Sequence, residues 1–237
     1  MDICVLNPFF YPYAGGTEKV LLQVYGRLAK RHNVTVLSAM LDNSNKRAVD
    51  YIQGIRVVRL PTKYVNMPGL PLPLPIMHGL NGEIEKAGAD LYHINNRFVY
   101  FPSTIRKIKS LNKTLALTIH NALPHGINLH TDAGGLLYDV LIGRKTMHAA
   151  DIITAVSRNT IETTVPERDR NKAHVVYNGI DYRRFKHRGK REREVEEIEK
   201  RLELNGASIL NNARLVPQKG QQYLIKAVAD LEKSRDI

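Results

Sequence analysis

A short apolar run, Ile3-Cys4-Val5-Leu6, leads through Gly15-Gly16 into a helical pattern, and this junction constrains the fold more than any other stretch. Val20, Leu21, Val24, Tyr25 and Leu28 recur at helical spacing, so the segment after the glycines is expected to bury one stripe against a sheet. Thr17 is expected to cap the first turn. Glu18 sits where the positive end of the helix dipole favours a negative charge by roughly 0.3–1 kcal/mol. Two adjacent glycines permit positive φ and leave backbone N–H groups uncovered at the helix N-terminus. The pair reads either as a tight turn alone or as a phosphate or oxyanion site. A nicotinamide-type site is disfavoured, because G-x-G-x-x-G is absent and a long aromatic and proline loop separates the strand from the glycines.

The same beat recurs along the chain. The first helix is expected to end near Arg31, with residues 34–37 as a second strand, 55–60 as a third, and a polar loop between them. Arg56 and Arg59 place the third strand nearer an edge of the sheet than its centre. Residues 61–75 carry prolines that lack a ladder donor, so they are expected to be a loop rather than a helix or a central strand. The leucines and Met67 of that loop either pack back on the body or form an apolar patch for a lipid surface. Residues 77–86 read as a helix and 90–94 as a strand ending in the turn Asn95-Asn96-Arg97. Residues 102–109 form a basic helix, and 114–119 a strand that delivers His120-Asn121 at its end. Residues 136–149 are helical, 151–156 a strand, Ser157 a helix cap, and 173–177 the last strand before Asn178-Gly179.

Strands alternating with helices imply an α/β fold: a mainly parallel sheet, helices on both faces, right-handed crossovers. Ligands of such sheets bind outside the carboxyl ends of the strands, which puts the glycine turn, His93 and His120 on one rim. From Asp181 the composition turns to dense mixed charge, a solvated connector with a helix over 194–204. Residues 207–210 then read as a new strand, and 221–232 as a final helix.

Net charge is +12, which predicts attraction to polyanions: nucleotides, nucleic acid or an anionic membrane face. No nucleic-acid module or aromatic-basic surface pattern accompanies the charge, so a nucleic-acid partner is not expected. The single cysteine, Cys4, lies mid-strand and reads as a small buried hydrophobe in a reducing compartment. Residues 1–6 carry no leader pattern, and no apolar run approaches the roughly 20 residues that span a bilayer. The expected location is the cytoplasm, with peripheral contact to the inner face of the membrane.

Five segments in order carry a family resemblance. Gly15-Gly16-Thr17-Glu18 resembles the Gly-Gly-x-Glu loop of the family 4 retaining glycosyltransferases, which have the GT-B fold of two facing Rossmann-like domains. Thr118-Ile119-His120-Asn121 is similar to that family's Thr-x-His strand end, and Ala155-Val156-Ser157-Arg158 to its Val-Ser segment. Val176-Tyr177-Asn178-Gly179-Ile180-Asp181 resembles the Asn-Gly-x-Asp sequence that enters the connector. Arg214-Leu215-Val216-Pro217-Gln218-Lys219-Gly220 resembles Gly-Arg-Leu-x-x-x-Lys-Gly, with Ala213 in place of the first glycine.

The resemblance implies an acceptor-side domain over residues 1–180, a connector over 181–206, and over 207–237 the first strand-helix unit of a truncated donor-binding domain. It implies transfer of a sugar from a nucleoside diphosphate sugar to a hydroxyl of a glycan or lipid-linked acceptor, with retention and with no metal or other cofactor. His120 would face the donor sugar at the reaction centre. Gly15, Gly16 and Glu18 would border the substrate, and Arg214 and Lys219 would bind the diphosphate. An Arg fork and a Lys point charge suit that role, each charge-assisted bond contributing about 1.5–3 kcal/mol. A second chain completing the donor-binding domain is a further implied partner. The rival reading is a non-catalytic module that holds an acceptor or a partner.

Overall fold

In the computed structural model, the strand β1 (Asp2–Leu6) lies inside an eight-stranded sheet, between parallel neighbours β2 (Asn33–Ala39) and β7 (Leu91–Ile94). The structure describes residues 1–42, 45–66, 73–95, 102–122, 129–185, 193–204, 208–216 and 219–233. Beyond β7 the sheet continues through β8 (Thr114–Ile119), β9 (Ile152–Ala155) and β10 (Ala173–Val175), all parallel. Beyond β2 lies β4 (Ile55–Leu60), also parallel, and then β3 (Ala48–Ile52), which pairs antiparallel with β4 and forms the edge. This is the expected Rossmann-like α/β architecture, with the third expected strand one place from the edge.

Side chains of β1 alternate between two cores, as the pleat requires. Ile3 and Val5 join Val34, Val36, Ile55 and Val57 under Leu21 and Tyr25 of α1 (Gly16–Leu28). Cys4 and Leu6 join Tyr92, Ile94, Leu115, Leu117 and Ile153 on the opposite face. There they meet Ile84 of α2 (Leu80–Ala87), Ile105 and Ile108 of α3 (Pro102–Ser110), and farther along Met147. Cys4 has no accessible surface, and burial pushes its thiol up to about 12. Tyr92 brings a hydroxyl into this core and satisfies it twice, donating to the Ile84 carbonyl at 2.8 Å and accepting from the Ala89 N–H.

Several expectations need correction. Gly15, not Thr17, is the N-cap of α1, without a side-chain bond, and Val24 faces solvent. The stretch expected as a polar loop between β2 and β4 contains β3, whose residues are alternately half-buried and exposed, as suits an edge. The proline-rich stretch is not wholly loop, because β5 (Thr62–Val65) and β6 (Leu74–Met77) form a separate antiparallel pair, with Pro75 opposite Tyr64. A two-stranded ribbon leaves each strand a free edge, which tolerates a proline. Helix α2 begins at Leu80 rather than at Met77, which belongs to β6; the left-handed Gly79 (φ 77°) turns the chain between them. Residues 67–72, and Asn96 and Arg97 of the expected turn, lie outside the described residues.

The segment expected as one helix over 136–149 is α4 (Leu129–Tyr138), a π-helical stretch Asp139–Gly143, and α5 (Arg144–Ala149). Ser157 caps α6 (Arg158–Thr164) as expected, accepting from the Thr160 N–H at 3.1 Å. The chain divides into two compact units, Met1–Gly179 and Ile180–Ile237. The second contains α7 (Tyr182–Phe185), α8 (Arg193–Arg201) and α9 (Gln221–Lys233). Residues 208–210 do not form the expected strand. Ile209 is 67 % and Leu210 90 % exposed, and the described residues offer them no strand to pair with.

Candidate functional site

Three neighbouring parallel strands each end in a polar residue. Asn7 follows β1, Asn95 follows β7 and His120 follows β8, so the sheet order sets them side by side at the carboxyl rim. Ladder-like bonds continue past the strand ends, from Asn7 N–H to the Leu37 carbonyl and from Asn95 N–H to the Leu6 carbonyl, and hold these residues in register. Asn7 and Asn95 are each 2 % exposed, and His120 is half-buried.

The fourth member of the cluster comes from α1. Glu18, in its first turn, is buried and points back over the helix end, where its carboxylate meets the Asn7 amide at 3.5 Å. Gly15 makes room for this: a Cβ there would lie 1.9 Å from Glu18 Oε2. The requirement is steric, because Gly15 has ordinary extended backbone (φ −95°, ψ 166°). Gly16 differs, since a Cβ there would meet nothing within 4 Å. The space beside Gly16 at the α1 N-terminus is therefore open, while the Glu18 N–H is already engaged by its own carboxylate.

The hydrogen bonds run in one direction. Asn7 Nδ2 donates to the Phe9 carbonyl and to Glu18 Oε1, which leaves Asn7 Oδ1 to accept from Asn95 Nδ2 at 3.5 Å. Asn95 Oδ1 then accepts from His120 Nε2 at 3.1 Å. Burial lowers the pKa of His120, favouring the neutral imidazole. A neutral ring that donates through Nε2 presents Nδ1 as an acceptor, suited to a hydroxyl. Burial raises the pKa of Glu18, and bonds from its own backbone and from Asn7 act against that rise.

His93 shares the strand end in sequence but serves the interior. Its Nδ1 pairs with the Tyr25 hydroxyl and its Nε2 with Thr118 Oγ1 at 2.7 Å, and Thr118 meets Thr154 at 2.7 Å. Burial, and then proximity to His120, lowers its pKa to about 4. The neutral ring fastens α1 to β7 and β8.

The structure thus brings Gly15, Gly16, Glu18 and His120 together, bridged by two asparagines that the sequence analysis did not single out. Their signal was present: each is the first polar residue after a buried parallel run, Leu6-Asn7 and Ile94-Asn95. Arg214 and Lys219 belong to the second unit and are exposed. The Arg214 carbonyl accepts from the Val216 N–H and from Gln221 Nε2, each at 2.9 Å, at the approach to α9. Among the described residues, no three His, Cys, Asp or Glu side chains gather as metal ligands.

Comparison with known proteins bears on the family and the fold. Residues 14–184 match the model of Glycosyltransferase Family 4. Spore coat protein SA of Bacillus subtilis (strain 168) is 28 % identical over 235 residues, covering 94 % of this chain and 55 % of that protein. Among solved structures, one described as trehalose-6-phosphate from E. coli bound with UDP-2-fluoro glucose superimposes with a TM-score of 0.50 at 13 % identity, covering 85 % of this chain and 54 % of that one. The sucrose-phosphate synthase of Thermosynechococcus elongatus gives a TM-score of 0.50 at 15 % identity, covering 86 % of this chain and 52 % of its own. At those identities the likeness of the solved structures is one of fold, and the chain spans about half the length of each of these three proteins. The family match covers most of the chain, including the glycine turn, Glu18 and His120; this chain belongs to Glycosyltransferase Family 4.

Proposed function

We propose that this protein transfers a sugar from a nucleoside diphosphate sugar to a hydroxyl of a glycan or lipid-linked acceptor, with retention at the anomeric carbon and without a metal. The observation that carries the reading is the rim cluster: a neutral His120, oriented by Asn95, beside an open helix N-terminus. His120 Nδ1 accepts from a donor-sugar hydroxyl and holds the ring in place. The N–H groups near Gly15 and Gly16 receive phosphate or acceptor oxygen, and Glu18 with Asn7 keeps that edge rigid. As the bond between the anomeric carbon and phosphate breaks, negative charge grows on the diphosphate. Arg214 and Lys219 are assigned to neutralise it, each worth about 1.5–3 kcal/mol as a charge-assisted partner.

The test is release of nucleoside diphosphate from a panel of donor sugars, measured for the wild type and for Gly16→Ala. Alanine at Gly16 meets no protein atom and suits a helix better than glycine, so the thermal midpoint should hold or rise. The new methyl intrudes on the open space instead, and turnover is expected to fall about tenfold, equivalent to roughly 1.4 kcal/mol. Full turnover in Gly16→Ala would remove the substrate from that turn. A wild type that releases diphosphate from no donor would overturn the transferase reading itself.

A further inference from the structure

The stretch from α4 to α5 is built inside out. Its buried positions are Gly135, Asp139, Gly143, Thr146 and Met147, small or polar except for the last. Its outward positions are Leu136, Leu137, Val140 and Leu141, which are 53 %, 61 %, 47 % and 52 % exposed. Positions i, i+1, i+4 and i+5 fall on one side of a helix, so these four side chains form a continuous apolar strip. Ala133 and Leu129, both exposed, extend it by two turns toward the start of α4. A surface helix in water has the opposite pattern.

At its other end the strip meets cations. Arg144 and Lys145 are exposed where α5 begins, and a surface groove lined by Arg144, Pro166, Glu167 and Arg168 brings a third cation alongside. Asp139, 3.6 Å from Arg144, is buried beneath the helix, and Asp169, 3.5 Å from Arg168, is also buried, so the guanidinium groups are the exposed partners.

We propose that this face lies in the plane of a membrane interface containing anionic lipid, with Leu136, Leu137, Val140 and Leu141 in the acyl boundary and Arg144, Lys145 and Arg168 among the headgroups. The occupant follows from the chemistry. Protein interface cores favour Tyr, Trp, Phe and Met, none of which stands on this strip. Aliphatic side chains bordered by Lys and Arg are what an interfacial helix presents, and the net charge of +12 adds long-range attraction to the same surface. In-plane attachment also suits a chain in which no helix among the described residues is long and apolar enough to cross a membrane. The inference stands apart from the sugar-transfer reading, since the strip is no part of the rim cluster.

Cosedimentation of the 237-residue chain with phosphatidylglycerol or phosphatidylcholine vesicles tests it. The wild type should sediment with phosphatidylglycerol at low salt and less so as salt screens the charges. Leu137→Glu with Leu141→Glu, both at exposed positions, should keep the circular dichroism spectrum and weaken binding by about tenfold or more. Lys145→Glu with Arg168→Glu should lose the preference for phosphatidylglycerol. A wild type that sediments with neither vesicle, or variants that bind as well as it does, would overturn the proposal. So would a dimer, seen by gel filtration, that the leucine variant dissociates without change in vesicle binding; the strip would then be an interface between copies of this chain.

Discussion

His120→Ala is expected to lower sugar-transfer turnover of an active preparation by about 10²-fold or more, within the range for a positioned polar group at a reaction centre. The substitution removes the ring that Asn95 orients and leaves Asn95 Oδ1 without its donor. The fold should survive, because His120 is only half-buried at the rim, and solvent can fill the gap. KM for the donor should move less than kcat if the imidazole acts mainly in the transition state. Retained turnover would remove His120 from the catalytic groups, leaving it as a partner of Asn95 alone.

The second large effect is on stability and runs through His93. Its pKa is lowered from 6.5 to about 4 by burial first and His120 second, so below pH 6.5 the unfolded chain takes up a proton that the folded chain refuses. Stability therefore falls as the pH drops through that window. At about 1.4 kcal/mol per pH unit, the loss by pH 4 is on the order of 3 kcal/mol. His120, lowered in the same direction, adds to it. The paired carboxylates behave differently. In Glu83 and Asp169, burial acts to raise the pKa, but bonds from Arg47 and Lys86, and from His148 and Lys172, outweigh it. Their contribution is lost only as pH falls below about 4.5, so between 6.5 and 4.5 the histidines drive the decline, opposed by Glu18, whose raised pKa makes the folded chain the better proton acceptor. Urea unfolding across this window should show a shallower decline for His93→Gln than for the wild type. Parallel declines would mean that His93 is not the group responsible.

What could be read without the structure follows from where each element lies. Strands β1, β2 and β4 send side chains into both cores, so they appear in sequence as near-continuous apolar runs, while β7, β8 and β9 bury one face fully and keep enough apolar residues to be read as strands. Strand β3 spells Ala-Val-Asp-Tyr-Ile at an edge, and its polar share made it look like loop. The pair β5 and β6 was hidden by a rule that bars proline from the centre of a sheet but not from a ribbon. Apolar residues alone did not make a strand of 208–210, since a strand needs a neighbour. At the site, the glycine turn and His120 were legible as motifs. The link between them was not, because Asn7 and Asn95 are 88 residues apart and only the crossover from β1 to β7 joins them. The sequence likewise placed a helix over 136–149 but could not say which way its leucines face.

Cys4 has a use of its own. It is the sole thiol, it lies on the sheet's inner strand with no accessible surface, and its pKa near 12 leaves almost no thiolate at neutral pH. An alkylating reagent needs both access and thiolate, and the folded chain supplies neither. Labelling can therefore proceed only in molecules whose core has opened between this face of the sheet and the helices α2 and α3 that cover it. The chain thus carries an internal stopwatch for its own opening: the rate at which iodoacetamide adds a single mass increment reads how often the core over the middle of the sheet is laid bare, without any introduced probe.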